Sequence, residues 1–185
     1  MRALMLNVPS SLLEERRQKG LDRFDEVWGG VLHMVPPPSY AHRKLGSSLL
    51  RALTPSAEAQ GLSIVYETGV YSSDHDYRVP DLLVCRADQV SERGVERGPE
   101  MVIELRSPND ETYEKLPFYE LMGVPEVFVI DPLTGRIELF VLRGGKLLPA
   151  VADGSSVLRS EVLGIGLRSS GGRVKLVTAD GEQSL

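Results

Sequence analysis

Two carboxylates stand where apolar strand residues are expected. Asp81 opens the run DLLVC directly after Pro80, and Glu104 sits between Ile103 and Leu105 in MVIEL. A buried ionised carboxylate is costly unless it is paired, hydrogen-bonded or bound to a metal. Two of them at the ends of neighbouring core strands call for one shared cation. A hard divalent ion such as Mg²⁺ (or Mn²⁺) takes oxygen ligands and keeps several waters, so Asp81, Glu104 and a backbone carbonyl, with Leu105 as the candidate, make an adequate site. Such an ion stabilises charge developing on a phosphodiester and lowers the pKa of the attacking water.

That chemistry also wants a cationic side chain to orient or deprotonate the water. Arg106 follows Glu104 by two residues, and i and i+2 share a strand face. Lys115 lies on the helix expected next and would have to reach back.

Pro80-Asp81 followed by Glu104-Leu105-Arg106 resembles the PD-(D/E)XK signature of restriction-endonuclease-like nucleases. The longer run ELRSPNDETYEKLPFYELMGVPEVFVIDP is similar to the Uma-two family of "putative restriction endonucleases" in its Ser107-Pro108, Lys115, Tyr119, Gly123-Val124 and Asp131-Pro132. The similarity extends from about residue 23 to about residue 166. It implies a restriction-endonuclease-like core, Asp81 and Glu104 as metal ligands, and a metal-dependent nuclease acting on DNA or another nucleic acid. One position departs from the pattern. The signature asks for Lys where this chain has Arg106, and a guanidinium does not give up its proton. The resemblance carries the lysine role onto Lys115, leaving Arg106 to neutralise phosphate charge. Glu26, His42 and Tyr119 match further positions of the family and are candidates for supporting the metal or contacting substrate.

The whole chain has 185 residues, 42% of them apolar and 25% charged, which suits a single soluble domain with a substantial core. No run approaches the roughly 18 apolar residues of a membrane span, and the N-terminus turns charged too soon for a secretory signal, so the cytoplasm is expected. The lone Cys85, within LLVC, excludes an internal disulfide and a cysteine-rich zinc site. The net charge of −5 gives no general basic field for gripping nucleic acid.

The elements that must hold these residues can be read along the chain. SSLLEERRQK offers Ser10 or Ser11 as an N-cap with Glu14 completing a capping box. RFDEVWGGVLHMV reads as a hairpin around Gly29-Gly30, with His33 a half-exposed strand residue. After Pro36-Pro37-Pro38, the spacing of Leu45, Leu49, Leu50 and Leu53 predicts an amphipathic helix from 39 to about 59. His42 near its start either faces a phosphate or lies on a solvated face. LSIVYETGVYS reads as one strand, with Glu67 either beside the site or on an exposed edge. Asp74, His75 and Asp76 read as a solvated turn. Asn109 or Asp110 is available to cap the helix of Lys115, which Pro117 should bend unless the helix begins close to it. Strands are expected at EVFVID, RIELFVL and LLPAV, and possible ones at VLGIGL and RVKLV, with the last five residues loose.

The expected architecture is a mixed α/β (α+β) sheet, a restriction-endonuclease-like core with flanking helices and an N-terminal β-hairpin. Two other functions fit the same residues. The chain could be an inactive nuclease-fold binding or accessory protein, which Arg106 and the acidic charge favour, or an enzyme on another phosphoryl substrate. Symmetric cutting of two strands would call for a homodimer.

Overall fold

The computed structural model describes residues 3–5, 9–20, 22, 24–35, 37–107 and 111–185. Pro36 and the expected cap at Asn109 or Asp110 lie outside the described residues. In chain order the elements are β1 (Ala3–Met5), α1 (Ser10–Gln18), β2 (Glu26–Trp28), β3 (Val31–Met34), α2 (Tyr40–Ala59), β4 (Ser63–Tyr66), β5 (Val70–Ser73), β6 (Asp76–Arg78) and β7 (Leu82–Cys85). They continue with β8 (Met101–Leu105), a 3-10 turn (Thr112–Lys115), α3 (Leu116–Leu121), β9 (Glu126–Ile130), β10 (Ile137–Arg143) and β11 (Lys146–Pro149). The C-terminal part adds β12 (Leu158–Ser160), β13 (Ile165–Ser170), β14 (Arg173–Thr178) and β15 (Gly181–Ser184).

The central sheet runs β11-β10-β9-β8-β7-β4, and its β8–β9 pair is parallel while the other pairs are antiparallel. A parallel neighbour needs a crossover. Residues 106–125, carrying Lys115 and α3, supply it. Strands β7, β8 and β9 are buried throughout, so both faces of the sheet are covered. Leu82, Val84, Met101, Ile103 and Leu105 pack on the α2 side with Leu45, Leu49, Leu53 and Ala57. Leu83, Cys85, Val102 and Val127 pack on the α3 side with Phe118 and Tyr119. Alternation along β8 therefore directs Glu104, two residues after Val102, to the α3 face.

A second sheet, β1-β3-β2-β6-β5, contains the N-terminal hairpin, and a third, β12-β13-β14-β15, packs on the α2 side of the core. Glu126, at the start of β9, fastens this third sheet. Its carboxylate accepts from Ser160 Oγ at 2.6 Å and from the Glu161 N–H at 2.7 Å.

Three expectations change, and one open alternative is decided. Ser10 is the first residue of α1, behind Pro9 at the N-cap and without a capping box. LSIVYETGVYS is two strands in different sheets, because Glu67 turns the chain with φ +49° while its N–H bonds the Asp81 carbonyl at 2.9 Å. The helix does begin close to Pro117, which lies in the first turn of α3, where no N–H is required. The C-terminal residues pair with β14 as β15 instead of hanging loose.

Glu126 gives the fold a pH signature. Burial raises its pKa above the ordinary value, against the lowering effect of its hydrogen bonds. The protonated form thus favours folding; this contribution is full below the unfolded carboxyl pKa of about 4.3 and is lost as pH rises through the higher folded value. Glu126→Ala, which leaves the Ser160 and Glu161 donors unmet, should cost about 2–3 kcal/mol. Glu126→Gln should gain in melting temperature relative to wild type as pH rises from about 4 through the raised folded pKa. Thermal unfolding across that range checks both, and a difference that stays flat would contradict the assigned cost of ionising Glu126.

Candidate active site

Three elements converge on Glu104. The carboxylate lies at 3% exposure on the α3 side of β8. Tyr119, buried on α3, donates its hydroxyl to Oε1 at 2.5 Å. Lys115, one turn earlier on the same side, brings Nζ to 3.1 Å from both carboxylate oxygens. The i, i+4 spacing of Lys115 and Tyr119 aims both side chains at one strand position.

The N-terminal hairpin closes the group. Glu26 Oε1 lies 2.9 Å from Lys115 Nζ and also accepts from the Val79 N–H at 2.8 Å, while Oε2 accepts from Trp28 Nε1 at 2.8 Å. Trp28 stacks on His33 with ring centroids 4.0 Å apart, and Arg78 lies 4.4 Å above the indole. His33 Nδ1 meets Glu111 Oε2 at 2.9 Å, just before the turn that bears Lys115.

Asp81 is tied to the end of β8. Its Oδ2 accepts from the Leu105 N–H at 2.7 Å, and its Oδ1 lies 3.2 Å from His42 Nε2. The same His42 nitrogen meets the Leu105 carbonyl at 3.0 Å. Glu67, 7% exposed at its side chain, pairs with Arg43 at 2.5 Å.

Glu26, His42, Glu67, Asp81, Glu104 and Lys115 line a cavity of about 700 Å³, whose other wall is apolar: Phe24, Met34, Val35, Pro37 and Pro38. Burial pushes the Glu104 carboxyl up to about 7; Lys115 and the Tyr119 hydroxyl pull it down, and Asp81 and Glu26 push it further up. Burial opposes the charge on Lys115, yet Glu104 and Glu26 outweigh it and raise its pKa, so the side chain stays an ammonium. Tyr119 is held neutral, its pKa raised well above the ordinary value by burial and the Glu104 charge. For His42, burial works against the charge but the hydrogen bond and charge of Asp81 prevail, and the pKa is raised.

The arrangement suits a hard cation. Glu26 and Glu104 place two carboxylates on the Lys115 ammonium, and Asp81 stands at the end of the same strand, on the N–H of Leu105. The free donors are oxygens, the kind Mg²⁺ and Mn²⁺ take. Among the described residues, no group of three or more His, Cys, Asp or Glu side chains converges as a ready-made cage. Binding there would use Asp81, Glu104 and the Leu105 carbonyl, with water completing the shell.

The profile of the Uma2 family, "putative restriction endonuclease", matches residues 13–172. The chain belongs to this family. No curated protein matches it. A crystal structure titled as a putative nuclease belonging to DUF820, from Anabaena variabilis, is similar with a TM-score of 0.63 at 16% identity, over 76% of this chain and 83% of that one. A DrdV–DNA complex matches with a TM-score of 0.38 at 13% identity, over 76% of this chain and 12% of that one, and carries no weight. The Uma2 match and the first structure agree with the mixed α/β, nuclease-like fold expected from the sequence.

Within this Uma2 chain, Asp81, Glu104, Leu105, Lys115, Glu26 and His42 all line the cavity. Tyr119 lies beneath it as a buried partner of Glu104 and does not line it. Arg106 does not line it either. It follows the last residue of β8, its N–H bonds the Ile130 carbonyl at 2.8 Å, and its guanidinium lies 5.0 Å from the Tyr113 ring. His42 turns inward onto Asp81 and Leu105, at the cavity wall and not on a solvated face. His33 is buried, and Glu67 faces the cavity. The Trp28 contact to Glu26 was implied by their i, i+2 spacing on the hairpin. Nothing local to the sequence pairs His33 with Glu111, 78 residues apart.

Tyr119→Phe deletes one hydrogen bond to a buried carboxylate. It should cost about 1–3 kcal/mol of stability, the range for a hydrogen bond to a charged group or a donor left unmet. It should also move the Glu104 titration upward, since the hydroxyl holds that pKa down. Carboxyl-carbon NMR of the variant against wild type reads the shift; an unchanged or lower Glu104 pKa would remove Tyr119 from the group that sets its charge.

Proposed function

We propose that the chain is a metal-dependent nuclease that hydrolyses phosphodiester bonds of DNA with Mg²⁺ or Mn²⁺. The observation that carries this reading is the buried pair Glu26 and Glu104 on Lys115, with Asp81 held beside them by the Leu105 N–H, in a cavity at the end of β8. Family membership supports the reaction class. When bound, the ion would supply charge to offset the developing phosphorane and acidify the attacking water.

The residues of the chain divide the remaining work. Asp81 and Glu104 would hold the ion, with the Leu105 carbonyl as a third oxygen. Asp81 is fixed for this by the Leu105 N–H, and Glu104 by Tyr119. Lys115 stays protonated, so it acts as a donor: it can orient a water or a phosphate oxygen but does not remove a proton. Glu26 holds the ammonium from the hairpin side, and is itself held by Val79 and Trp28. Arg106 has no role in this account, because its guanidinium leaves the cavity. Symmetric cutting of a duplex calls for two such sites, so the proposed form on that substrate is a homodimer.

A second reading keeps one specific observation. The Lys115 ammonium already sits bidentate on Glu104, which is how a nuclease fold that had lost its metal would neutralise the acid. That protein would bind nucleic acid without turning it over.

The deciding experiment is a calorimetric titration of Mg²⁺ and Mn²⁺ into wild type, Asp81→Asn and Glu104→Gln, joined to a cleavage assay on plasmid and single-stranded DNA. Binding and metal-dependent cleavage in the wild type, both lost in either variant, are expected. Lys115→Gln should keep metal binding and lose on the order of 100-fold or more in kcat, as for a deleted electrostatic donor. Full cleavage by Asp81→Asn would overturn the assignment, and a wild type that binds no metal would promote the second reading.

A further inference from the structure

His42 is the third residue of α2, and its backbone N–H is capped by Ser39 Oγ at 3.3 Å. That cap fixes the first turn of the helix, and the His42 ring meets the end of β8 at the Leu105 carbonyl. The side chain is 7% exposed. Its Nε2 has two neighbours, Asp81 Oδ1 at 3.2 Å and the Leu105 carbonyl at 3.0 Å, and both are acceptors. Nε2 therefore carries the hydrogen, shared between them. The other ring nitrogen, Nδ1, is buried without a hydrogen-bond partner.

The two oxygens that this one N–H holds are both among the donors assigned to the ion. Two roles are then open to the imidazole: ligand, or holder of ligands. A ligating histidine must bare Nε2 and move its hydrogen to Nδ1, and metal-bound histidines almost always donate that second N–H to a carboxylate, carbonyl or water. Here Nδ1 has no such acceptor, and an unmet buried donor is costly. With the hydrogen on Nε2, the contacts seen are kept.

We propose that His42 is a positioning residue of the metal centre: its Nε2–H, bridging Asp81 and the Leu105 carbonyl, orients both oxygens for the cation, and the ring is not itself a ligand. This rests on the metal-dependent reading above. It also explains why α2 begins against the end of β8, since a shift of the helix start would move two donors together.

The test is a Mn²⁺ titration of wild type, Asp81→Asn, His42→Leu and His42→Gln, with pulsed EPR of Mn²⁺ on the wild type. His42→Leu keeps bulk without a donor, while His42→Gln returns an amide N–H near the place of Nε2. His42→Leu should bind Mn²⁺ at least about tenfold more weakly, the usual loss for an outer-shell partner, and His42→Gln should recover most of it. The EPR should show no directly bound imidazole nitrogen. Unchanged affinity in His42→Leu, or no recovery in His42→Gln, overturns the proposal. A bound imidazole nitrogen overturns it independently of how either variant folds. Should Asp81→Asn lose binding while His42→Leu does not, the metal reading stands and this one alone falls. A wild type that binds no Mn²⁺ removes both.

Discussion

Glu104 sits at 3% exposure near the end of a strand that is otherwise apolar, and a carboxylate there has to be met by charge and hydrogen bonds or it destabilises the sheet. Much of the surrounding construction answers that demand. The crossover from β8 to β9 is shaped so that Lys115 and Tyr119 reach the same two oxygens. The hairpin brings Glu26 to the far side of the ammonium. Burial is the main cause of the raised proton affinity of Glu104, with Asp81 and Glu26 adding to it against the opposing charge of Lys115. Such a group lowers its energy by taking up a proton or a cation.

The positions of those partners follow from local geometry. Pro117 cannot sit in the interior of a helix without loss, and the chain meets this by starting α3 at Leu116 and leaving Lys115 at the end of a 3-10 turn. The lysine thereby stays on the helix's inward side without needing to lie within it. On the opposite face of the sheet, α2 packs through Leu45, Leu49 and Leu53 and sends His42 to the edge where β8 ends. The sheet thus separates two kinds of support: hydrogen bonds to Asp81 and Leu105 from the α2 side, and charge on Glu104 from the α3 side.

Glu67 belongs to the same economy of backbone positions. A non-glycine residue at φ +49° is uncommon, and this one turns the chain out of the central sheet while its N–H holds the Asp81 carbonyl. The cavity then has a polar floor made by strand ends and an apolar wall from the hairpin and the prolines after it. No helix is long and apolar enough to cross a membrane among the described residues.

The sequence by itself determined the elements and the chemical types. Period-two and period-3.6 patterns located the hairpin, α2 and the central strands, because burial of one face is written in neighbouring residues. Asp81 and Glu104 stood out because charge in an apolar strand is costly wherever the strand goes. The extent of LSIVYETGVYS was not legible, since one residue in the left-handed region divides it and composition does not announce that. Nor was the choice between Arg106 and Lys115: alternation offered Arg106 the better view of Glu104, but the strand stops at Leu105 and the guanidinium finds Tyr113. Only the tertiary structure decided which distant groups meet, His42 with Asp81, His33 with Glu111, Glu26 with Lys115. These contacts span 39 to 89 positions of chain and depend on how sheets and helices pack, which no local pattern encodes.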